Sequence, residues 1–193
     1  MVWRPYWRLY LLLLMIWPMA AGCTDRPAPR SEVKKEMQAS ASAPQSDLSD
    51  GYSLLAQLME DEREVDMIFL VKNSPKDVAE MVNEIARFCK EGKERLAELT
   101  RGTGIKLDRT HLPKVETEAR EATARTTAGR LMGSGKDFPK QLLFTQAQAL
   151  NYMAHLAQVL AAREQNATRR EFLKQTEENA TALYGRAAGR LFE

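Results

Sequence analysis

Metal-ligating and crosslinking residues are scarce in this chain: 193 residues include two cysteines, Cys23 and Cys89, and two histidines, His111 and His155. Two scattered histidines and one free thiol lack the spacing of a zinc site. A di-iron carboxylate centre in a helical bundle needs Glu-x-x-His on two helices, but Asp108 stands three residues before His111 and Tyr152 three before His155. There is no Walker pattern, no Gly-x-Ser-x-Gly elbow and no Ser–His–Asp set beyond chance. Gly102-Thr-Gly104 and Gly133-Ser-Gly135-Lys136 read as helix terminators. Strand-like alternation and Asn-Gly hairpin signals are absent as well. Net charge is missing too. The formal +2 comes from Arg4 and Arg8 near the N-terminus; setting those two aside leaves 26 basic residues against 26 acidic ones. A balanced chain has no global electrostatic reason to bind nucleic acid.

What the N-terminus does contain is ordered. Arg4 and Arg8 precede the apolar run Leu9–Trp17, then Pro18 and the small-residue stretch Met19-Ala20-Ala21-Gly22-Cys23. A basic region, an apolar region and small cleavage-site residues in that order make a secretory signal. The run is short for a membrane span, which needs roughly 20 residues. Ala20-Ala21-Gly22-Cys23 has the form of a lipobox, with Ala20 in place of the usual leucine. Residues 1–22 are thus expected to be a bacterial lipoprotein signal peptide, and Cys23 the acylated first residue of the mature chain. Thr24 rather than Asp follows, a choice compatible with outer-membrane delivery in a Gram-negative cell.

Between Cys23 and Asp50 the composition turns to Pro, Ser, Ala and scattered charge, with little to bury. The expectation is a disordered tether over 23–50 and a helical domain over 51–193. Within that domain Leu55, Leu58, Val65 and Phe69 predict a first helix over about 53–72. Ser74 as N-cap, Pro75 and Asp77 predict the start of a second, with the seam Val78, Val82, Ile85, Cys89, Gly92, Leu96, Leu99 running to about 101. Gly92 in that seam would let a neighbouring helix approach closely. Cys89 on it is expected inside, with pairing between chains as the alternative. Pro113 opens a third helix to about 131 with a weak core face of Val115, Ala119, Ala122 and Thr126. Asp137 caps a fourth from Phe138 to about 163, with the seam Phe138, Leu142, Thr145, Ala149, Tyr152, Leu156, Val159. A fifth over about 167–191 presents Phe172, Thr176, Ala180, Leu183 and Ala187. The class is all-α: an antiparallel bundle of four to five helices.

The nearest thing to a ligand set is the acidic tract Glu60-Asp61-Glu62-Arg63-Glu64 together with His155. A solvated helix face is the plainer reading of the tract. Glu62 differs, because it falls on the apolar stripe and must pair or hold a proton if it faces the core. No catalytic residue and no cofactor emerge.

Four short motifs resemble the DUF4142 family, exported bacterial proteins of unknown function: Glu64-Val65, Ser74-Pro75-Lys76-Asp77-Val78, Gly104-Ile105-Lys106-Leu107 and Ser134-Gly135-Lys136-Asp137-Phe138. The resemblance spans about Leu54 to Leu191 and implies a ferritin-like up-down bundle. Family members often carry histidines where this chain has Cys89 and about Leu150, so of the family's polar side only Glu64 carries over. The expectation that follows is a non-catalytic, lipid-anchored envelope protein facing the periplasm, held to the membrane through Cys23, which meets an envelope protein partner or serves structure. The competing expectation is a metal- or small-ligand-binding bundle acting in stress response.

Overall fold

The computed structural model describes residues 44–108 and 112–191. The leader, Cys23 and His111 lie outside the described residues. Five α-helices make up the domain: α1 (Pro44–Glu62), α2 (Lys76–Thr100), α3 (Lys114–Gly133), α4 (Phe138–Arg163) and α5 (Ala167–Gly189). Short 3-10 turns occupy Val65–Leu70 and Gly135–Asp137, and no strand occurs among the described residues. The helices alternate in direction. Lys72 Nζ donates to the Met132 carbonyl at 2.8 Å and Arg190 to Asp77 at 2.5 Å, so the start of α2 and the ends of α3 and α5 share one end. Tyr52 of α1 meets Glu164 at the other. The domain is an all-α up-down bundle.

The first helix departs from expectation at both ends. It begins at Pro44 rather than near Ser53, so residues 44–50 are helical and not tether. Proline suits a first helical turn, where its missing N–H costs nothing, and Leu48 packs against the core. Gly51, expected at the start of the helical domain, lies inside the helix. A Cβ built there would stand 2.5 Å from a Leu160 methyl, so the glycine lets α1 press onto α4. The helix then stops at Glu62 instead of continuing to Lys72. Val65, Ile68 and Phe69 still dock, from the 3-10 turn.

The second helix matches its seam. Val78, Val82, Ile85, Cys89 and Leu96 are buried, and a Cβ on Gly92 would sit 3.0 Å from the Met59 methyl, so the close approach is to α1. Cys89 is buried. The expected cap is absent: Ser74 makes no capping bond, its Oγ is buried without a partner, and the Pro75 carbonyl accepts the Ala79 amide at 3.0 Å. Asp137 holds the cap position of α4 and likewise makes no side-chain capping bond.

In α4 the seam is rotated from the expected one. Tyr152 and Val159 are exposed, whereas Leu143, Gln146, Ala147, Leu150, Met153, Ala154, Ala157, Leu160 and Ala161 are buried. The expected seam followed one line of residues at coiled-coil spacing. Helix α4 is instead covered by α5 on one side and α1 on another, which needs a broader stripe of paired positions. The weak face assigned to α3 is wrong. Val115 is 77% exposed and Ala119, Ala122 and Thr126 are exposed, because α3 turns its half-buried polar side inward. In α5, Thr176, Ala180, Leu183 and Ala187 are buried as expected, joined by Leu173. Ile105 and Leu107 of the connecting loop dock on the core, fixed by the Ser53 hydroxyl donating to the Lys106 carbonyl at 2.5 Å.

Leu96, with no exposed area, should lose about 2–5 kcal/mol of stability on truncation to alanine. Val115→Ala should change it by less than about 0.5 kcal/mol. Urea denaturation of both variants checks the pair; equal losses would contradict the packing described.

Candidate functional site

Two carboxylates are drawn inside the bundle, and the structure treats them in opposite ways. The first is Glu164, which lies where α4 ends. Its backbone turns extended at φ −76°, ψ 124°, and the chain reverses into α5 within two residues. Asn166 caps α5, its side chain accepting the Arg169 amide at 3.0 Å. That capped turn aims Arg169 back at Glu164, where Nε donates to Oε2 at 2.9 Å and a terminal nitrogen to Oε1 at 3.1 Å. The Asn166 amide donates to Oε1 at 2.7 Å and the Tyr52 hydroxyl of α1 to Oε2 at 2.6 Å. Arg170 reaches the Glu164 carbonyl at 3.3 Å. The Glu164 side chain is 2% exposed. Burial alone would raise its pKa, but the bonds from Arg169, Tyr52 and the Asn166 amide outweigh that and bring it down to about 2. Burial, and then the Glu164 contact, push the Tyr52 hydroxyl up. A carboxylate with this many donors is committed to holding helices together.

The second is Glu62, half-buried at the end of α1. It has one hydrogen bond, accepted from Gln146 Nε2 of α4 at 2.9 Å. Burial raises its pKa to about 7; the Gln146 bond and the Arg120 charge oppose that, and neighbouring Asp61 adds to it. Gln146 is itself buried, and its Oε1 has no donor. Burial first and the Glu62 charge second push the Cys89 thiol up, so the thiol is inert as a nucleophile. Glu62 therefore exchanges a proton near neutral pH.

The other residues of the expected ligand set are not brought together with it. Glu60 pairs with Arg63 at 3.0 Å and with Lys93. Glu64 is exposed and meets Arg63 at 3.2 Å. His155 is exposed on α4, nine residues from Gln146, which puts it on the opposite face and about 13 Å along the axis. There it lines a shallow groove of about 250 Å³ with Glu177 and Tyr184. A second groove, about 440 Å³, lies between α2 and α5 at Arg95 and Phe172. Among the described residues no three His, Cys, Asp or Glu side chains are grouped as a metal site.

No protein-family model, curated protein or solved structure matches the chain. Its motifs resemble DUF4142 without assigning it there, and the site stands on its own geometry. Sequence reasoning had singled out Glu62 through its place on the apolar stripe. It missed Glu164, whose Tyr52 partner lies 112 residues away. The local signal available was Asn166 three residues before Arg169, the spacing of a side-chain cap on the first turn of α5.

The two carboxylates give stability opposite slopes with pH. Glu164 titrates lower when folded, so its contribution is present above about pH 4.5 and is lost as pH falls towards 2. Glu62 titrates higher when folded, so the folded state binds the extra proton and stability declines as pH rises from about 4.5 to 7. Each limb is worth on the order of 3 kcal/mol. Urea denaturation across pH 3–8 should show Glu62→Gln flattening the upper limb and leaving the lower one intact.

Proposed function

We propose that this chain is a non-catalytic, lipid-anchored protein of the bacterial envelope, whose helical bundle faces the periplasm and works as an interaction or structural module. The observation that carries the reading is the box Ala20-Ala21-Gly22-Cys23 behind a basic and apolar leader. In a Gram-negative cell, Thr24 after the cysteine favours the outer membrane. In the domain that follows, Glu164, Glu62 and Gln146 are engaged in joining helices rather than converging on a cleft, and the two grooves lie elsewhere, between α4 and α5 and between α2 and α5. Among the described residues no helix is long and apolar enough to cross a membrane.

Metabolic labelling with an alkyne-tagged fatty acid tests the anchor. The wild type should carry the label and fractionate with membranes. Cys23→Ser should lose the label and leave the membrane fraction, while its circular dichroism stays helical. An unlabelled wild type with an unmodified amino terminus upstream of Cys23 would defeat the reading. Metal analysis of protein purified without a chelating tag addresses the module itself: a stoichiometric metal would favour a ligand-binding bundle instead.

A further inference from the structure

Helix α3 is attached to the bundle differently from its neighbours. Of its 20 residues one is buried, Leu131, with Leu112 just ahead of the helix as a second anchor. By contrast α2 buries eight residues, α4 eleven and α5 five. The half-buried residues that α3 turns inward, Glu116, Thr117, Arg120, Glu121 and Thr127, are all polar. Its middle is held by Arg120 donating to Asp61 of α1 at 3.0 Å, and its end by the Lys72 bond to the Met132 carbonyl. Beyond it, Gly135 takes a left-handed φ of 54°, which lets the chain turn sharply into α4.

Beneath α3 lie two poorly satisfied polar groups, Glu62 and Gln146. Half-buried Glu62 has a single hydrogen bond, and Gln146 Oε1 is buried with no donor. Both defects disappear when water reaches them. Few apolar contacts hold the helix that excludes that water, and this combination marks a segment that opens locally.

We propose that α3 is a strap that opens and closes over the Glu62–Gln146 pair while α1, α2, α4 and α5 stay assembled. Opening hydrates the pair and presents the α1–α4 face beneath. The latch responds to protons. The charged and titratable groups around Glu62 are Asp61 on its own helix, Arg120 from α3 and the Cys89 thiol from α2, with neutral Gln146 facing it from α4. The closed state favours protonated Glu62, and the open state favours the hydrated carboxylate. Raising the pH through 7 therefore opens the strap.

Amide hydrogen exchange read by mass spectrometry on the full-length chain tests this, with α4 and α5 peptides as internal references for the intrinsic pH dependence of exchange. Off the bundle, a helix of this length is marginal in water, so opening exposes its amides. The α3 peptides should exchange at least ~100-fold faster than those of α4. Their excess over the references should rise about tenfold between pH 6 and pH 8. Glu62→Gln should keep the difference between helices and abolish its pH dependence. Arg120→Ala, at a half-buried position, should accelerate α3 at both pH values. Protection of α3 equal to that of α4 and α5 would overturn the strap, and an excess that does not change with pH would overturn the latch.

Discussion

The arrangement depends on how a carboxylate is kept inside the protein at Glu164. Taking such a group out of water costs several kcal/mol unless its lone pairs find donors of good geometry. Here the donors come from three directions: an arginine fork, a backbone amide and a phenol. Two of them belong to the first turn of α5 and one to α1, so satisfying the charge also fixes the hairpin of α4 and α5 and sets α1 against it. Pairing is demanding enough that few alternative registers would serve. Apolar burial drives the collapse of the bundle, but it tolerates sliding, and the Glu164 cluster does not.

Glu62 shows what the same residue type does with fewer donors. It has one neutral amide to lean on, and the amide is left with an unused acceptor of its own. The outcome is a carboxyl that titrates at about 7 instead of about 2. One glutamate is therefore a fixed charge and the other a variable one, within a single small domain. The difference arises from the partners: Glu164 has a charged arginine fork, a backbone amide and a phenol to offset its burial, whereas Glu62 has one neutral amide and a second carboxylate beside it.

How much of this was legible in the sequence follows the range of each interaction. The α2 seam was readable because steps of three and four residues encode one face of a helix locally. The bounds of α4 were readable from Phe138 and the preceding glycines, yet its buried face was not, because which side is covered twice depends on partners elsewhere in the chain. The start of α1 at Pro44 was hidden by composition. One leucine, Leu48, and one close contact at Gly51 sufficed to extend the helix, and a count of apolar residues does not register either. Glu62 could be flagged because a charge on an apolar stripe is a local contradiction. Glu164 could not, because Tyr52 and Arg169 reach it only once the bundle has formed.

Helix α3 carries this reasoning one step further. Its sequence, rich in Ala, Arg, Glu and Thr, favours a helix through local propensity more than through an apolar face. Thr123 and Thr126 return their hydroxyls to the carbonyls one turn back, each at 3.0 Å, so polar groups on its outer side are satisfied without partners. A segment that is helical for local reasons and docked for polar ones contributes little to the core and constrains it little. The four remaining helices hold the apolar interior and the Glu164 cluster between them. In such a division of labour, the stability of the domain and the accessibility of its α1–α4 face can vary separately. Under the proposed reading of a tethered interaction module, that independence would let the α1–α4 face change without putting the fold at risk.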